Sequence, residues 1–537
     1  MKKVTFAFCL TLALLSAPDV FGQHEGHTPA PPKPTATPAA TKPKPKPTPV
    51  ATPRDEHIGH PAPAATPAAP KPTPKPTPVA TPPDEHVGHP APPATPAATP
   101  GHVHDVEASS EADSLLVMTD DEMSIRVGDS QNNVLPMGQL ASGTSWQPAS
   151  TRMNMHHKMS GDWLLMFHYN AIVGLNAQGG PRGVAKFESA NWFMPMAFRK
   201  VGPGTLELRG MFSFEPFTFP PGGSPLLFQT GETYKGRPII DAQHPHDLFM
   251  EMSATYTVPL GDRATWFAYL GYPGEPALGP TAFMHRASAS ENPSAALSHH
   301  LQDSSHITFG VFTTGVTYRW FKFEGSVFNG REPDENRYDL EANPWTSRSI
   351  RLSFAPNNNW SMQVSHGLLK NPEALEPGDV RRTTASISYN KPLSDGYWAT
   401  SFIWGRNHEN HGADVFNLNG YVAESTVNFF DKNYLYTRLE LVDKNQLLRD
   451  ADRLLLGIAD HHPSFRIGAY TFGGARDFYT NDKVRVAVGS DITFYSKPAT
   501  LDPIYGNNPV SYRLFLRVRP GKMSHDAHGG GHGNMNH

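Results

Sequence analysis

The sequence predicts an all-β protein: a transmembrane antiparallel β-barrel of about 16 strands (about 14 to 18). Three observations carry this prediction. The first is alternation. Between Trp163 and Arg519, runs of about ten residues alternate apolar with polar or charged and are separated by turn signals. In the last run Tyr512, Leu514, Leu516 and Val518 share one face, and Arg513, Phe515, Arg517 and Arg519 share the other. Period two puts two different solvents on the two faces. The second observation is that the charged face recurs: Glu207 and Arg209, Lys322 and Glu324, Arg438 and Glu440, Arg485 and Asp491, then Arg513 and Arg517. Opposite them stand Leu206 and Leu208, Phe321 and Phe323, Leu435 and Leu439, Val486 and Val488. A wall between lipid and a watery lumen fits this better than a soluble sandwich does. The third is that connections alternate in length. Those at 200–204, 260–263, 355–359, 391–396, 431–433 and 480–483 are tight, whereas 216–246, 272–304 and 329–345 are long and rich in Pro, Gly and charge. Outer-membrane barrels keep short turns in the periplasm and long loops outside.

The elements follow in chain order. Met1-Lys2-Lys3, the apolar run Val4 to Leu15 and the small residues up to Gly22 read as a cleavable signal peptide, residues 1–22. It contains the single cysteine, Cys9, so disulfides and thiolate sites are excluded from the mature chain. Residues 23–112 are dominated by Pro, Ala, Thr and Lys with hardly an aromatic, and read as a disordered periplasmic arm. Inside it, Asp55-Glu56-His57 with His60 recurs at an offset of 29 as Asp84-Glu85-His86 with His89. Residues 113–160 read as a periplasmic collar or a lumen insert, and 161–519 as the barrel, with candidate strands beginning near 162, 185, 204, 247, 264, 305, 320, 346, 359, 381, 396, 415, 433, 464, 483 and 509. Residues 520–537 form a His/Gly-rich disordered tail. An even strand number puts both termini in the periplasm of a Gram-negative-type bacterium. The net charge of −4 with scattered basic residues gives no case for nucleic acid.

Several strings resemble an uncharacterised bacterial outer-membrane β-barrel family met in heavy-metal resistance settings: Ser142-Gly-Thr-Ser-Trp146, Asn191-Trp-Phe-Met-Pro-Met-Ala-Phe-Arg199, His244-Pro-His-Asp-Leu-Phe-Met-Glu251, Phe328-Asn-Gly-Arg-Glu-Pro-Asp-Glu335 and Tyr505-Gly-Asn-Asn-Pro509. They span the barrel and transfer no catalytic residue. The Met/His-rich approach to the barrel is also similar, in composition, to the copper-resistance protein B class, although the histidines here sit in a proline-rich arm.

Histidine carries the chemistry. Of 26, eight lie in the arm, including His57, His60, His86, His89, His102 and His104, and four in the tail, including His525, His528 and His532. Imidazoles paired near carboxylates and thioethers suit copper or zinc ions; the alternative is a solvated spacer. Met153, Met155, His156, His157 and Met159 form a cluster just before the barrel. His244, His246 and Asp247, and His299, His300, Asp303 and His306, lie in two long outer loops. There they make either a metal site or a hydrogen-bonded constriction. Met166 and His168 share the inward face of the first strand, as Met211 does on the third, which is either a soft-ligand path or packing for an inserted segment.

No group demands enzymatic chemistry, and the chain is read as a non-enzyme that requires no cofactor. Two functional readings stand. One is an outer-membrane porin-like channel for small solutes that handles transition-metal ions through its His/Met-rich termini and outer loops. The other is a plugged barrel acting in metal sequestration or interaction. Lipid, metal ions, a peptidoglycan contact by the arm and an oligomer are the partners these readings imply.

Overall fold

The computed structural model describes residues 115–118, 123–412 and 414–521. Sixteen antiparallel strands close a barrel. They are β1 (Trp163–Ala177), β2 (Ala185–Val201), β3 (Gly204–Phe212), β4 (Phe249–Pro259), β5 (Ala264–Gly271), β6 (Val311–Tyr318), β7 (Phe321–Phe328) and β8 (Ser347–Phe354), followed by β9 (Trp360–Lys370), β10 (Asp379–Leu393), β11 (Gly396–His411), β12 (Asp414–Phe429), β13 (Asn433–Lys444), β14 (Phe465–Thr480), β15 (Val484–Ser496) and β16 (Val510–Pro520). β16 closes on the far half of β1, from Tyr512 opposite Ala177 to Val518 opposite Ala171. The near half of β1 pairs instead with a short strand, Met155–Ser160.

The expected strand starts agree with the observed ones closely. The largest gap is at β6, expected near 305 and beginning at Val311. The apolar residues Ile307 and Phe309 that extended the pattern are buried in the interior instead, and Thr308 bridges to Gly274. The tight connections gather at one end of the barrel and the long ones at the other, except that the sixteen-residue strands β11 and β12 meet in a tight turn at the long-loop end.

Alternation fixes the two faces. In β16 Leu514 is 57% exposed, whereas Arg517 is fully buried. Phe515 is the apolar exception on the inner face. The edge atoms of its ring lie against Gly489, where a Cβ would stand 2.4 Å from them, and it packs on Ile172 and Tyr436. Leu514→Arg should therefore destabilise the folded barrel in lipid vesicles by about 2–4 kcal/mol, measured by urea titration, because the side chain faces the apolar exterior in mid-strand.

The inner charges do not face an open watery lumen; chain fills it. From the short-turn end, residues 123–151 enter the mouth, where Arg209 donates to the Ala141 and Gly143 carbonyls at 2.9 and 3.0 Å, Lys322 bonds the Thr144 carbonyl, and the Thr144 hydroxyl donates to Glu324 at 2.5 Å. From the long-loop end, segment 272–310 crosses the whole interior. Near one wall the Ala277 and Gly279 amides donate to Ser326 and Ser365 at 2.7 and 2.8 Å. Farther on, Arg286 pairs with Glu424 of β12, Arg438 donates to the Ser294 carbonyl, and Glu291 pairs with Arg517 and Arg519 of β16. A third insertion, between β3 and β4, carries the hairpin Ser224–Tyr234 with Arg237–Gln243. Lys444 of β13 donates to its Gln229 at 2.8 Å. Desolvation offsets much of the attraction within such buried pairs. They fix where each segment sits, and that explains why the sequence puts charges on so many of the inner faces.

Candidate metal centre

Segment 272–310 and the neighbouring insertion bring five histidines together. His299 and His300 open a single helical turn, His299–Gln302, and His306 ends the turn Ser304–His306. His244 and His246 descend on the stretch that follows the inner hairpin. The ring centroids form a chain: His244–His300 5.4 Å, His300–His299 5.3 Å, His299–His306 5.2 Å and His306–His246 5.2 Å. Gly231, in a positive-φ conformation at 131°, makes room for this packing, since a Cβ there would stand 2.4 Å from the His300 ring.

Each of the five imidazoles uses the same nitrogen. Nδ1 lies 3.2 Å from the Pro245 carbonyl in His244, 2.7 Å from Glu215 Oε2 in His246 and 2.8 Å from Asp303 Oδ1 in His299. It lies 3.1 Å from Glu332 Oε1 in His300 and 2.7 Å from the Asp303 carbonyl in His306. All five Nε2 atoms are buried without a hydrogen bond, although that of His244 also lies 3.2 Å from Glu232 Oε1. A neutral imidazole that donates from Nδ1 presents a lone pair at Nε2. Metal-binding histidines are oriented in this way by a carboxylate or carbonyl behind them.

Two groups of side chains around these histidines lie close enough together to hold an ion. One ligand atom from each of His244, His299 and His300 lies within 4.8 Å of the others, and the same holds for His300, Glu332 and Glu373. Nitrogens bound at about 2.0–2.1 Å around a tetrahedral ion are roughly 3.3 Å apart, so movements on the order of 1 Å would close the site. His300 belongs to both groups, which places them side by side. Above them a vestibule of about 940 Å³ opens among the long loops. Glu232, Glu332, Asp334, Glu335, Glu341 and Glu373 are among its acidic lining residues, and Arg331 is the single basic one. Such a wall concentrates cations.

Burial keeps three of the imidazoles, those of His299, His244 and His306, neutral. It pulls His299 down to about 4 despite the Asp303 carboxylate beside it, and it holds His244 and His306 well below the ordinary value, with neighbouring imidazoles adding to the effect. Burial and the surrounding carboxylates, Glu332 first among them, push Glu373 well up. The consequence for stability has a definite sign. An unfolded imidazole titrates near 6.5 and folded His299 near 4, so between these values the unfolded chain binds the extra proton. Stability of the metal-free protein should therefore fall as pH drops from about 6.5 towards about 4, by up to roughly 3 kcal/mol for this group. Urea midpoints at pH 7.5 and 5 should be further apart for the parent than for His299→Asn.

The structure distributes the remaining candidates differently. Asp303 supports His299 from behind and pairs with Arg286 at 2.6 Å, and Asp247 pairs with Arg337 at 3.4 Å; neither belongs to a ligand group. Strand alternation splits the string before the barrel. Met155 is buried, His157 sits opposite Met166 on β1, the His156 ring lies 6.3 Å from Tyr169, and Met159 is exposed. Met153 is partly buried against the apolar cluster that includes Met155. The arm and tail histidines, His57, His60, His86, His89, His102, His104, His525, His528 and His532, lie outside the described residues. Sequence reasoning assigned none of Glu215, Glu232, Glu332 and Glu373 to the site. Glu215, which the sequence places with the inward charges Glu207 and Arg209, shares the β3–β4 insertion with Glu232, whereas Glu332 and Glu373 come from two other loops, and the four have no common spacing.

No protein-family model and no curated protein matches the chain. Among solved structures it is similar to OmpF of Salmonella typhi in complex with daunomycin, at 9% identity over 68% of this chain and 100% of that one, with a TM-score of 0.41. It is also similar to an anion-selective porin from Comamonas acidovorans, at 9% identity over 66% and 99%, TM-score 0.40. OmpT, an outer membrane protein of Vibrio cholerae, is 8% identical over 68% and 99%, TM-score 0.40.

Proposed function

We propose that this chain is an outer-membrane barrel that handles divalent transition-metal ions, zinc or Cu(II), at the buried histidine centre in its filled lumen. The observation that carries the reading is the shared pattern of five imidazoles, each with Nδ1 engaged and Nε2 buried and unbonded. A hydrogen-bonded constriction would use both nitrogens, whereas a binding centre keeps one in reserve. The membrane location rests on the apolar exterior of a closed barrel, which only a lipid surround satisfies. The acidic vestibule gathers cations at the long-loop end and delivers them to His300, Glu332 and Glu373. From there the ring chain leads inward through His299 and His306 to His246.

The test is zinc titration of the full chain in detergent against a competing chelator. One equivalent should resist the chelator in the parent and be lost in His299→Asn/His300→Asn. Equal retention in both proteins would overturn the reading.

A second reading, a porin-like passage for small solutes, is favoured by the two vestibules. The outer one is matched by a cavity of about 580 Å³ at the short-turn end, lined by Trp146, Glu207, Arg209 and Lys322. Planar-bilayer recording separates the two, since a solute passage carries steady ion current and a filled lumen carries none.

A further inference from the structure

The two largest apolar clusters of the described residues have thirteen buried members each, and their chemistry is segregated. The cluster that joins the long-loop end to β12, β13 and β14 is built from Leu, Ile, Val, Phe, Ala and Tyr, with no methionine. The other, beneath β1 to β4, has eight methionines among its thirteen, and two more, Met153 and Met284, pack against it. Ten of the chain's 17 methionines therefore share one site. Gap filling alone does not require this, because the sister cluster fills the same barrel with branched side chains.

The methionines come from separate segments. Met166 and Met196 stand directly opposite each other on β1 and β2, and His168 stands opposite Met194 on one side and Met155 on the other. Met211 comes from β3, Met250 from β4, and Met284 from the lumenal segment. Two imidazoles are set among these thioethers. His285 Nε2 lies 3.4 Å from Met211 Sδ, and the His168 ring lies 6.4 Å from that of His285, with Trp192 4.8 and 4.7 Å from the two rings. His168 Nδ1 is shut off from solvent and makes no hydrogen bond.

We propose that Met166, Met194, Met211, His168 and His285 form a second metal site, selective for a soft monovalent d¹⁰ ion, Cu(I) or Ag(I). Thioethers bind soft cations and discriminate against zinc and other harder divalent ions, for which imidazole and carboxylate are better ligands. A monovalent ion also suits a pocket whose ligands carry no charge, since uncompensated charge in an apolar interior is what makes burial costly. Trp192, lying between the two rings, closes the pocket and offers its face to a bound cation. The site uses none of the five histidines of the other centre, so it stands or falls separately. The barrel would thus hold two ion classes at two levels: divalent ions below the acidic vestibule and monovalent ions beside β1 to β3.

Ag(I), which does not change oxidation state under these conditions, is the probe. X-ray absorption of the full chain loaded with one equivalent should show a shell of sulfur neighbours. Met166→Leu/Met194→Leu/Met211→Leu conserves side-chain volume. It should lose that shell and bind Ag(I) at least tenfold more weakly, while keeping its chelator-resistant zinc. His299→Asn/His300→Asn should behave in the opposite way. A parent spectrum with only nitrogen and oxygen neighbours overturns the proposal without needing any variant. So does a sulfur shell that persists in the triple variant, which would assign Ag(I) to other methionines. Barrel folding of each variant is checked by its heat-dependent shift in gel mobility, and Met211→Leu alone should show a partial loss if the triple variant does not fold.

Discussion

Glu424→Ala should release the lumenal segment and destabilise the barrel by about 3–5 kcal/mol, a large effect for a point substitution. Glu424, on the inner face of β12, accepts from Arg286 Nε at 2.7 Å, from Arg438 Nε at 3.1 Å and from Ser288 Oγ at 3.0 Å. Truncation leaves two buried guanidiniums short of an acceptor. Arg286 keeps Asp303 and Arg438 keeps the Ser294 carbonyl, which holds the loss to that range. The cost falls unequally on the two states. With segment 272–310 seated, both arginines remain desolvated; with it displaced, water reaches them. The substitution therefore favours the unseated state, and single-channel recording should change from no steady current in the parent to flickering openings. Glu424→Gln retains one acceptor oxygen and should fall between the two. Unchanged urea midpoint and unchanged current in Glu424→Ala would mean that the segment is held by its apolar contacts alone.

The wall of this barrel was legible because a two-sided environment writes itself into sequence at period two. Leu514 and Arg517 announce their faces with no knowledge of the partners they will meet. What fills the wall was not legible. The inner charge of Arg517 is as compatible with water as with Glu291, and only the folded chain shows that Glu291, more than two hundred positions away, occupies that space. The candidate centre was half legible for the same reason. His299, His300 and His306 are close in sequence, and so are His244 and His246, so each group drew attention as a string. Their convergence was not deducible, because it depends on two loops entering one lumen. Nothing in the sequence marks Glu332 and Glu373 as ligands or Glu215 as an Nδ1 acceptor, because each lies in a different connection with no spacing that ties it to a histidine. Asp303 and Asp247 stand beside histidines, and the sequence alone offers them as ligands. In the folded chain Arg286 and Arg337 engage them, which leaves Asp303 to orient His299.

Substitution of His300 should have the largest effect on metal affinity of any single residue, because His300 belongs to both ligand groups. His300→Asn removes the imidazole that one group shares with His244 and His299 and the other with Glu332 and Glu373. The asparagine is too short to reach either, and zinc affinity should fall by more than about 100-fold, beyond the range produced by loss of a supporting group. Asp303→Asn should weaken binding by about 10- to 100-fold, since it leaves every ligand in place while loosening the hydrogen bond that holds His299 Nδ1 and weakening the pairing with Arg286. His246→Asn, at the far end of the ring chain, should leave the affinity of the first ion nearly unchanged. The ordering of the three variants is what assigns the centre: His300 above Asp303 above His246 follows from the ligand groups, and no general loss of stability produces it. Removal of residues 23–112 and 521–537 provides the opposing arm of the experiment. If the histidines of the arm and tail hold the ion, truncation abolishes chelator-resistant zinc and the His300 variant retains it; if the lumen holds it, the outcomes are exchanged.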